Sequence, residues 1–385
     1  MDIKIKRLHF NLNKHYKSLL IAFSLWVLLI SLLPCYVLTS SAESFPLEVA
    51  ELASNENSLR AAVNRASGSA IIAINADIQL SAPLTIVAGK DITLKSKGNA
   101  GFFKLIGAPG ADTITVESGA ILKLDNIHVT HTTDATGTGV TVQSGGTLTM
   151  SDGEISGNTG NWGGGVANLG RFTLSGGTIT KNTANRGGGV ATGGSPTSNA
   201  DFTMSGGEIS NNKATNSATG GGGVSIGGGS FKMIDGLISK NSAPNGGAIY
   251  SDNGEMRLSA GTITNNNASN NGGAIYIKNL ELLHISDSLI FSANQALVAY
   301  NRNPADDQLY NTQIAKKVTW TTPFTQGYNN YDISYTNGNL YSDSQSSPNY
   351  TLPLGIVVAV IVGIVVVSLF YQAKKHNYPI RPPLL

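Results

Sequence analysis

The chain has little cysteine, little charge and few aromatic side chains. Only one of its 385 residues is cysteine, while 13% are charged and 7% are aromatic. The single Cys35 lies in an apolar stretch near the N-terminus, so we expect no disulfide in the rest of the chain. A secreted chain without disulfides is more typical of a bacterial surface than of a small, disulfide-stapled animal domain.

Glycine, in contrast, is abundant, and it recurs among similar neighbours. The 45 glycines do not indicate disorder, because apolar residues remain plentiful and periodic. Similar units begin roughly 24 to 30 residues apart from about Leu122 to Val298, which is a spacing typical of solenoid repeats. The clearest units are LTMSDGEISGN at Leu148, FTLSGGTITKN at Phe172, FTMSGGEISNN at Phe202, FKMIDGLISKN at Phe231 and MRLSAGTITNN at Met256.

Three columns recur when these units are aligned. The first contains Ile155, Ile179, Ile209, Ile238, Ile263 and Ile290, and the second contains Met150, Leu174, Met204, Met233, Leu258 and Ile285. The third contains Asn158, Asn182, Asn212, Asn241 and Asn266. Apolar and polar residues alternate with a period of two, which indicates short strands. We therefore predict an all-β chain forming a parallel β-helix, with the apolar columns inside and the asparagines in a ladder at a corner.

Glycine clusters at the end of each unit suggest a family resemblance. The clusters read GGGV in earlier units and GGAI at Gly246–Ile249 and Gly272–Ile275. GGAI resembles half of the signature of chlamydial polymorphic outer-membrane proteins, and the other half, FxxN, occurs at Phe291–Asn294. The array also resembles the right-handed parallel β-helices of bacterial surface proteins and pectate-lyase-like folds. This resemblance implies a right-handed β-helix, but such repeats serve adhesins, lyases and passive wall proteins alike.

The N-terminal part divides into three predicted segments. Residues 1–42 have a basic start, an apolar run and small residues at the end, as in a long signal peptide, although an uncleaved anchor is the alternative. Residues 43–70 contain a short helical pattern, which we interpret as a cap on the open end of the β-helix. The β-helix itself should span residues 71–298, with regular repeats from about residue 122.

Residues 299–345 leave the repeat and are rich in aromatic side chains. We interpret them as a C-terminal cap with a hairpin turn at Asn337-Gly338. The alternative is a platform on which sugar rings stack. The candidate ligand-binding residues of that platform are Trp320, Tyr328, Tyr331 and Tyr335.

The C-terminal residues predict a membrane anchor. A polar linker, 346–353, precedes a stretch that begins with 17 uncharged residues, which is just long enough to span a bilayer. We predict a transmembrane helix at 354–371 and a tail at 372–385. Lys374 and Lys375 place this tail in the cytoplasm.

The expected location is the surface of a Gram-positive bacterium, after export through the Sec pathway. The sequence LPLG at Leu352 lacks the threonine of the LPxTG sorting motif, so we expect a retained membrane anchor rather than sortase attachment. Without the signal peptide and the tail, the chain keeps 18 of 26 basic and 23 of 24 acidic residues, a net charge of about −5. This balance argues against nucleic acid as a partner.

The ionisable residues do not form a recognisable catalytic set. His128 shares a mixed, outward-facing column with Glu154 and Glu208. His128, His131 and Asp125 are residue types that bind metals, but one His-x-x-His pair on a strand is a weak signal. Asp306-Asp307 resembles the adjacent aspartates of some polygalacturonases but lies beyond the array. We therefore assign no catalytic residue, no metal site and no cofactor.

Two classes of function remain. The first is a non-catalytic, adhesin-like binding or display scaffold, with glycans, host matrix or other cell-surface components as partners. The second is a cell-tethered polysaccharide lyase or glycoside hydrolase. The missing acid/base set favours the first class, and a stalk without any ligand is a third possibility. Two longer loops, Thr192–Ala200 and Lys213–Thr219, are candidate binding positions, with neutral drift as the alternative.

Overall fold

Short strands wind into coils that stack along one axis. The computed structural model describes residues 51–98, 101–286, 288–297, 332–337 and 341–342. The first half of the strands, in chain order, are β1 (Glu51–Ala53), β2 (Gly68–Ile74), β3 (Ile78–Gln79), β4 (Leu84–Ile86), β5 (Lys90–Ser96), β6 (Lys104–Ile106), β7 (Ile114–Val116), β8 (Ile121–Asp125), β9 (Ile127–Thr130), β10 (Val140–Val142), β11 (Thr147–Met150), β12 (Gly153–Ser156), β13 (Thr159–Trp162), β14 (Val166–Asn168), β15 (Arg171–Leu174) and β16 (Thr178–Thr180).

The later strands continue the same pattern. They are β17 (Thr183–Arg186), β18 (Val190–Thr192), β19 (Asp201–Ser210), β20 (Lys213–Ala214), β21 (Val224–Ile226), β22 (Ser230–Ser239), β23 (Ser242–Asn245), β24 (Ile249–Ser251), β25 (Glu255–Leu258), β26 (Gly261–Thr264), β27 (Asn267–Asn271), β28 (Ile275–Asn279), β29 (Leu283–Ile285), β30 (Leu289–Ser292), β31 (Gln295–Ala296), β32 (Ile333–Asn337) and β33 (Tyr341–Ser342). Helical structure in the described residues is limited to α1 (Glu56–Arg65) and a 3₁₀ turn at Leu280–Leu282.

Three sheets form the sides of the solenoid. Sheet A has 18 strands, sheet B has nine and sheet C has six. Sheet B contains β4, β7, β10, β14, β18, β21, β24, β28 and β32, sheet C contains β13, β17, β20, β23, β27 and β31, and sheet A contains the rest. From β11 onward each coil runs along sheet A, then C, then B. Neighbouring coils pair in parallel, for example β11 with β15, β13 with β17 and β14 with β18. The predicted parallel β-helix is therefore confirmed, with about nine coils.

The predicted apolar columns form the core. Ile155, Ile179, Ile209, Ile238 and Ile263 are each fully buried, and the methionine–leucine column is buried beside them. Phe172 and Phe202 stack with ring centroids 4.8 Å apart, and Phe202 stacks on Phe231 at the same distance. This distance is the spacing of neighbouring strands, so each phenylalanine lies directly on its counterpart in the next coil.

The sixth member of the isoleucine column was assigned wrongly. Phe291 pairs with Ile263 and is 3% exposed, whereas Ile290 pairs with Thr262 and is 54% exposed. A displacement of one residue along a strand exchanges its two faces. The FxxN motif had the right alignment, since Phe291 and Asn294 occupy the positions of Ile263 and Asn266.

The asparagine column forms the predicted ladder at the corner between sheets A and C. The Asn182 Nδ2 donates to Oδ1 of Asn212 at 3.0 Å and to the carbonyl oxygen of Ile155 at 2.9 Å. The Asn182 backbone N–H donates to the same Asn212 Oδ1 at 3.0 Å. The same bonds to the following coil are made by Asn158, Asn212, Asn241 and Asn266, and the last acceptor is Asn294. Each ladder amide thus holds three coils together.

The residue before each ladder asparagine, and not the asparagine itself, adopts the left-handed conformation. Gly157 has φ = 69°, and Lys181, Asn211, Lys240 and Asn265 each have φ = 55°. Asparagine tolerates the left-handed conformation, so the sequence favours the ladder asparagines for this corner. Their side chains are instead occupied by the ladder, and the conformational strain falls on the exposed neighbour.

The glycine clusters form the corner between sheets C and B. Here the coils approach so closely that a side chain has no space: a Cβ on Gly222 would lie 2.4 Å from the carbonyl oxygen of Gly247 and 2.5 Å from the backbone nitrogen of Ser242. The next position is wider, and Gly223 aligns there with Ala248 and Ala274. The GGGV and GGAI motifs therefore form the same corner, with glycine or alanine at its third position.

A helix is present where the sequence predicts one. It begins at Glu56, with Asn55 and Ser58 forming a reciprocal capping box. The helix buries Leu59, Ala62 and Val63. Its role as a cap remains a prediction.

The predicted hairpin at Asn337-Gly338 is wrong. Strand β32 pairs in parallel with β28 of sheet B, and β33 pairs in parallel with β29 of sheet A. The two strands therefore add to different sheets and continue the coil. The alternation of the sequence fits both arrangements, and the choice between them depends on pairing with distant strands.

Four predicted segments lie outside the described residues. They are the signal peptide 1–42, the linker 346–353, the transmembrane helix 354–371 and the tail 372–385. Across the portion that is described, no helix has the length and apolar character needed to cross a membrane.

Candidate functional site

The histidines that the sequence singled out do not converge with Asp125. The carboxylate of Asp125 pairs with the Lys95 ammonium at 2.7 Å. The buried His131 ring places Nδ1 2.8 Å from Asn158 Oδ1 and Nε2 2.9 Å from the Ala111 carbonyl oxygen. His131 thus begins the asparagine ladder. Among the described residues there is no group of three or more His, Cys, Asp or Glu side chains that could hold a metal ion.

His128 contacts a serine hydroxyl, the kind of side chain that can act as a nucleophile. Its Nε2 lies 2.7 Å from Ser156 Oγ, and the same Nε2 lies 3.8 Å from Glu154 Oε1. Burial lowers the pKa of His128, the nearby Lys104 lowers it further, and the Glu154 and Asp77 carboxylates oppose this shift. A neutral imidazole is the form of a general base. A catalytic triad, however, places the acid on the other ring nitrogen, and Glu154 approaches the nitrogen that already contacts Ser156.

Charged side chains on the outer face of sheet A pair with each other. Lys123 lies 2.8 Å from Asp91 of the preceding coil, and Arg257 lies 2.6 Å from Glu255 on its own strand. These pairs are partly exposed, and each contributes little to stability. His284 Nε2 of the following coil also lies 3.3 Å from Glu255 Oε1, so these carboxylates already have basic partners on their own or an adjacent coil.

Two tyrosines stack on the outer side of sheet B. The rings of Tyr250 and Tyr276 are 5.5 Å apart and nearly parallel. Beside them, the Lys278 ammonium lies 2.5 Å from an Asp252 carboxylate oxygen. Burial raises the pKa of Tyr250, and its side chain is 1% exposed. This pair therefore packs neighbouring coils and is not an open stacking platform.

Sheet C carries an open groove. Within the part of the chain that the structure describes, we consider it the best candidate site. The groove has a volume of about 330 Å³. Its sides are two outward columns from β20, β23 and β27, and its floor includes Ala214 and Ala243. The outward side chains are Lys213, Ser242 and Asn267 in one column and Thr215, Pro244 and Ser269 in the other. We call this feature the sheet C groove.

The period of two explains this arrangement. Lys213 pairs with Ser242, and Ser242 pairs with Asn267, so these three side chains lie about 4.8 Å apart along the axis. The alanine that follows each of them turns to the core, and Ala214 is 2% exposed. The next residue faces outward again and completes the second side of the groove.

The side chains of the groove differ in how many partners they have. Thr215 donates to Asn185 Oδ1 at 3.0 Å. In contrast, within the described ranges, the side chains of Lys213, Ser242, Asn267 and Ser269 make no hydrogen bond or ion pair with another residue. The groove therefore brings together four side chains whose hydrogen-bonding groups are available to a ligand.

The sequence missed this groove, although one of its predicted loops adjoins it. Lys213 and Thr215 belong to the longer segment Lys213–Thr219, but Lys213 is already in strand β20. The other predicted loop, Thr192–Ala200, does not line the groove; it forms a local turn in which Ser198 N–H donates to the Ser195 carbonyl at 3.0 Å. The signal in the sequence that could have indicated the groove is the outward column of Lys213, Ser242 and Asn267, which carries only one charge.

The predicted aromatic platform cannot be placed. Trp320, Tyr328 and Tyr331 lie outside the described residues. Tyr335 is in β32, where its backbone pairs with Ile277 of β28.

Comparison with known proteins adds no relative. No protein-family model matches the chain, and neither a curated protein nor a solved structure matches it. The resemblance to chlamydial and pectate-lyase-like repeats thus depends on the motif residues alone.

Proposed function

We propose that the protein is a non-catalytic, adhesin-like scaffold on a bacterial cell surface, which presents its solenoid to glycans, host matrix or other surface components. The supporting observation is the arrangement of ionisable side chains. Asp125 and Asp91 pair with lysines of adjacent coils, whereas a polysaccharide-cleaving site needs acid and base groups that face one substrate position. The ladder meanwhile gives the solenoid a rigid frame on which outer side chains are held.

The proposal includes the segments outside the described residues. The signal peptide 1–42 directs export through the Sec pathway, and the helix at 354–371 retains the chain in the plasma membrane of a Gram-positive cell. Residues 299–345 close the end of the solenoid. The coils wind to the right, as in the repeats of pectate-lyase-like folds that the sequence resembles.

Protease treatment of intact cells tests the location. We expect an external protease to remove the solenoid and leave a small membrane fragment that contains Lys374 and Lys375. A solenoid that resists cleavage on intact cells but not in lysates would contradict surface exposure. A solenoid recovered on peptidoglycan through a covalent bond would contradict the membrane anchor.

An activity assay tests the non-catalytic part of the proposal. The full-length protein should produce no new chain ends from acidic or neutral polysaccharides, while beads coated with it should attach to a glycan, matrix or cell-surface target. Turnover of a polysaccharide would overturn this part.

The second candidate is a cell-tethered lyase or hydrolase, and one observation favours it. His128 Nε2 is within hydrogen-bond distance of Ser156 Oγ. If this pair were catalytic, His128→Gln and Ser156→Ala would each abolish turnover, whereas Glu208→Ala in the same outward column would not.

A further inference from the structure

We propose that the sheet C groove binds an uncharged polysaccharide. This inference rests on the proposed function and names the site and the ligand class for it. The occupant is a segment of neutral glycan lying across β20, β23 and β27.

The hydrogen-bonding groups of the groove fit a hydroxyl-rich ligand. Ser242 and Ser269 both donate and accept, and the Asn267 amide offers two donors and one acceptor oxygen. A sugar hydroxyl also both donates and accepts. Since these side chains have no partner among the described residues, a ligand gains their bonds without breaking bonds inside the protein.

The apolar part of the groove fits the C–H face of a sugar ring. The ring of Pro244 lines the groove together with Thr215 and Ser269. Carbohydrate rings have C–H faces that bury well against such small apolar surfaces. The lining contains no tryptophan, tyrosine or arginine, the residues in which the binding hot spots of protein–protein interfaces are enriched.

Charge argues for a neutral polymer over an acidic one. Lys213 is the single charged side chain in the lining. One exposed ammonium gives weak attraction in water, and the chain without its signal peptide and tail has a net charge of about −5. A polyanion would therefore meet a repulsive field around one cation.

The groove also lies where the repeat is broken. Pro244 has no backbone N–H, and β27 carries one extra residue opposite β23, because Ala243 pairs with Ala268 but Asn245 pairs with Asn271. Such a bulge redirects side chains. The three coils of the groove are therefore not equivalent, and a ligand can bind in one position instead of sliding along the axis.

The test measures binding of the full-length protein to neutral glucans, mannans and N-acetylglucosamine polymers, with uronic acid polymers and matrix proteins alongside. We expect binding to at least one neutral polymer. The double variant Ser242→Ala/Asn267→Ala should weaken that binding by about tenfold. The matched control is Thr159→Ala/Thr183→Ala, which changes the same outward column of sheet C outside the groove. Both variants should keep the melting temperature of the parent.

The outcomes separate this inference from the proposed function. Equal loss of binding in the two double variants, or binding only to uronic acid polymers through Lys213, would overturn the groove assignment. Binding to a matrix protein but to no neutral polymer, unchanged in both double variants, would also overturn the groove assignment. It would leave the adhesin-like function in place. Cleavage of the neutral polymer would instead overturn the non-catalytic function.

Discussion

From β11 onward, two of the three corners of each coil solve the same packing problem by opposite means. At the corner between sheets A and C, buried asparagines such as Asn212 fill the space and bond to the coils on both sides. At the corner between sheets C and B, glycines such as Gly222 leave the space empty so that backbones can touch. One corner therefore requires a particular side chain, and the other requires that there be none.

This difference predicts different responses to substitution. Loss of an amide leaves buried donors and acceptors unsatisfied, but the backbone can remain in place. Addition of a methyl group at a backbone contact forces the coils apart. We expect the asparagine corner to weaken gradually and the glycine corner to fail abruptly.

The largest loss of stability is expected from a change in the strand that leads into the asparagine corner. Ile238→Asp should lower the free energy of unfolding by about 4 kcal/mol or more, because it buries a charge without a partner. Ile290→Asp is the matched control, since Ile290 is exposed, and it should have little effect. Thermal unfolding measures both, and equal melting temperatures would refute the alignment of the last coil.

The next effect compares adjacent glycines. Gly222→Ala should destabilise the fold by about 3 kcal/mol, because its Cβ meets backbone atoms on two sides. Gly223→Ala should cost about 1 kcal/mol at most, since Ala248 already occupies this position one coil later. If chemical denaturation finds the two variants alike, the close approach at this corner is not what selects glycine.

A smaller effect is expected from the ladder. Asn212→Ala should cost about 2 kcal/mol, because Asn182 loses its acceptor and the Ile179 carbonyl loses a donor. Asn267→Ala removes an exposed asparagine whose side chain has no partner in the described structure, so its free energy of unfolding should match that of the parent. A loss at Asn212 no greater than at Asn267 would show that the ladder does not stabilise the coils.

The smallest effect concerns the left-handed residue of the asparagine corner. Lys240→Gly should raise the free energy of unfolding by about 0.5 kcal/mol, because glycine adopts φ = 55° without steric cost but loses more entropy on folding. The natural Gly157 shows that the position accepts glycine. A clear destabilisation would mean that the Lys240 side chain contributes more than the strain costs.

The core and the ladder could be predicted because they depend on residues that repeat. Ile155 and Asn158 have counterparts in every later unit, and a period of two fixes which face each residue occupies. The prediction failed where the repeat ends. Neither the choice between Ile290 and Phe291 nor the pairing of β32 follows from local alternation, since both depend on which distant strand is the partner.

The sheet C groove could not be predicted for a different reason. Ser242 and Asn267 look like ordinary solvated residues in the sequence. Their significance depends on lying beside one another on adjacent coils while their neighbours Asn185 and Thr215 bond to each other. Which of these side chains lack a hydrogen-bond partner can be determined only when the positions of three neighbouring coils are known.

The contact between His131 and Asn158 bears on how the chain finds its correct alignment during folding. Units as alike as those at Phe172 and Phe202 could stack with a shift of one whole unit and still bury the same kinds of side chain. His131 stands where the later coils have an asparagine, and its Nδ1 lies 2.8 Å from Asn158 Oδ1. In a stack shifted by one unit, the His131 ring would face a different coil. This single histidine therefore favours the correct alignment of the coils.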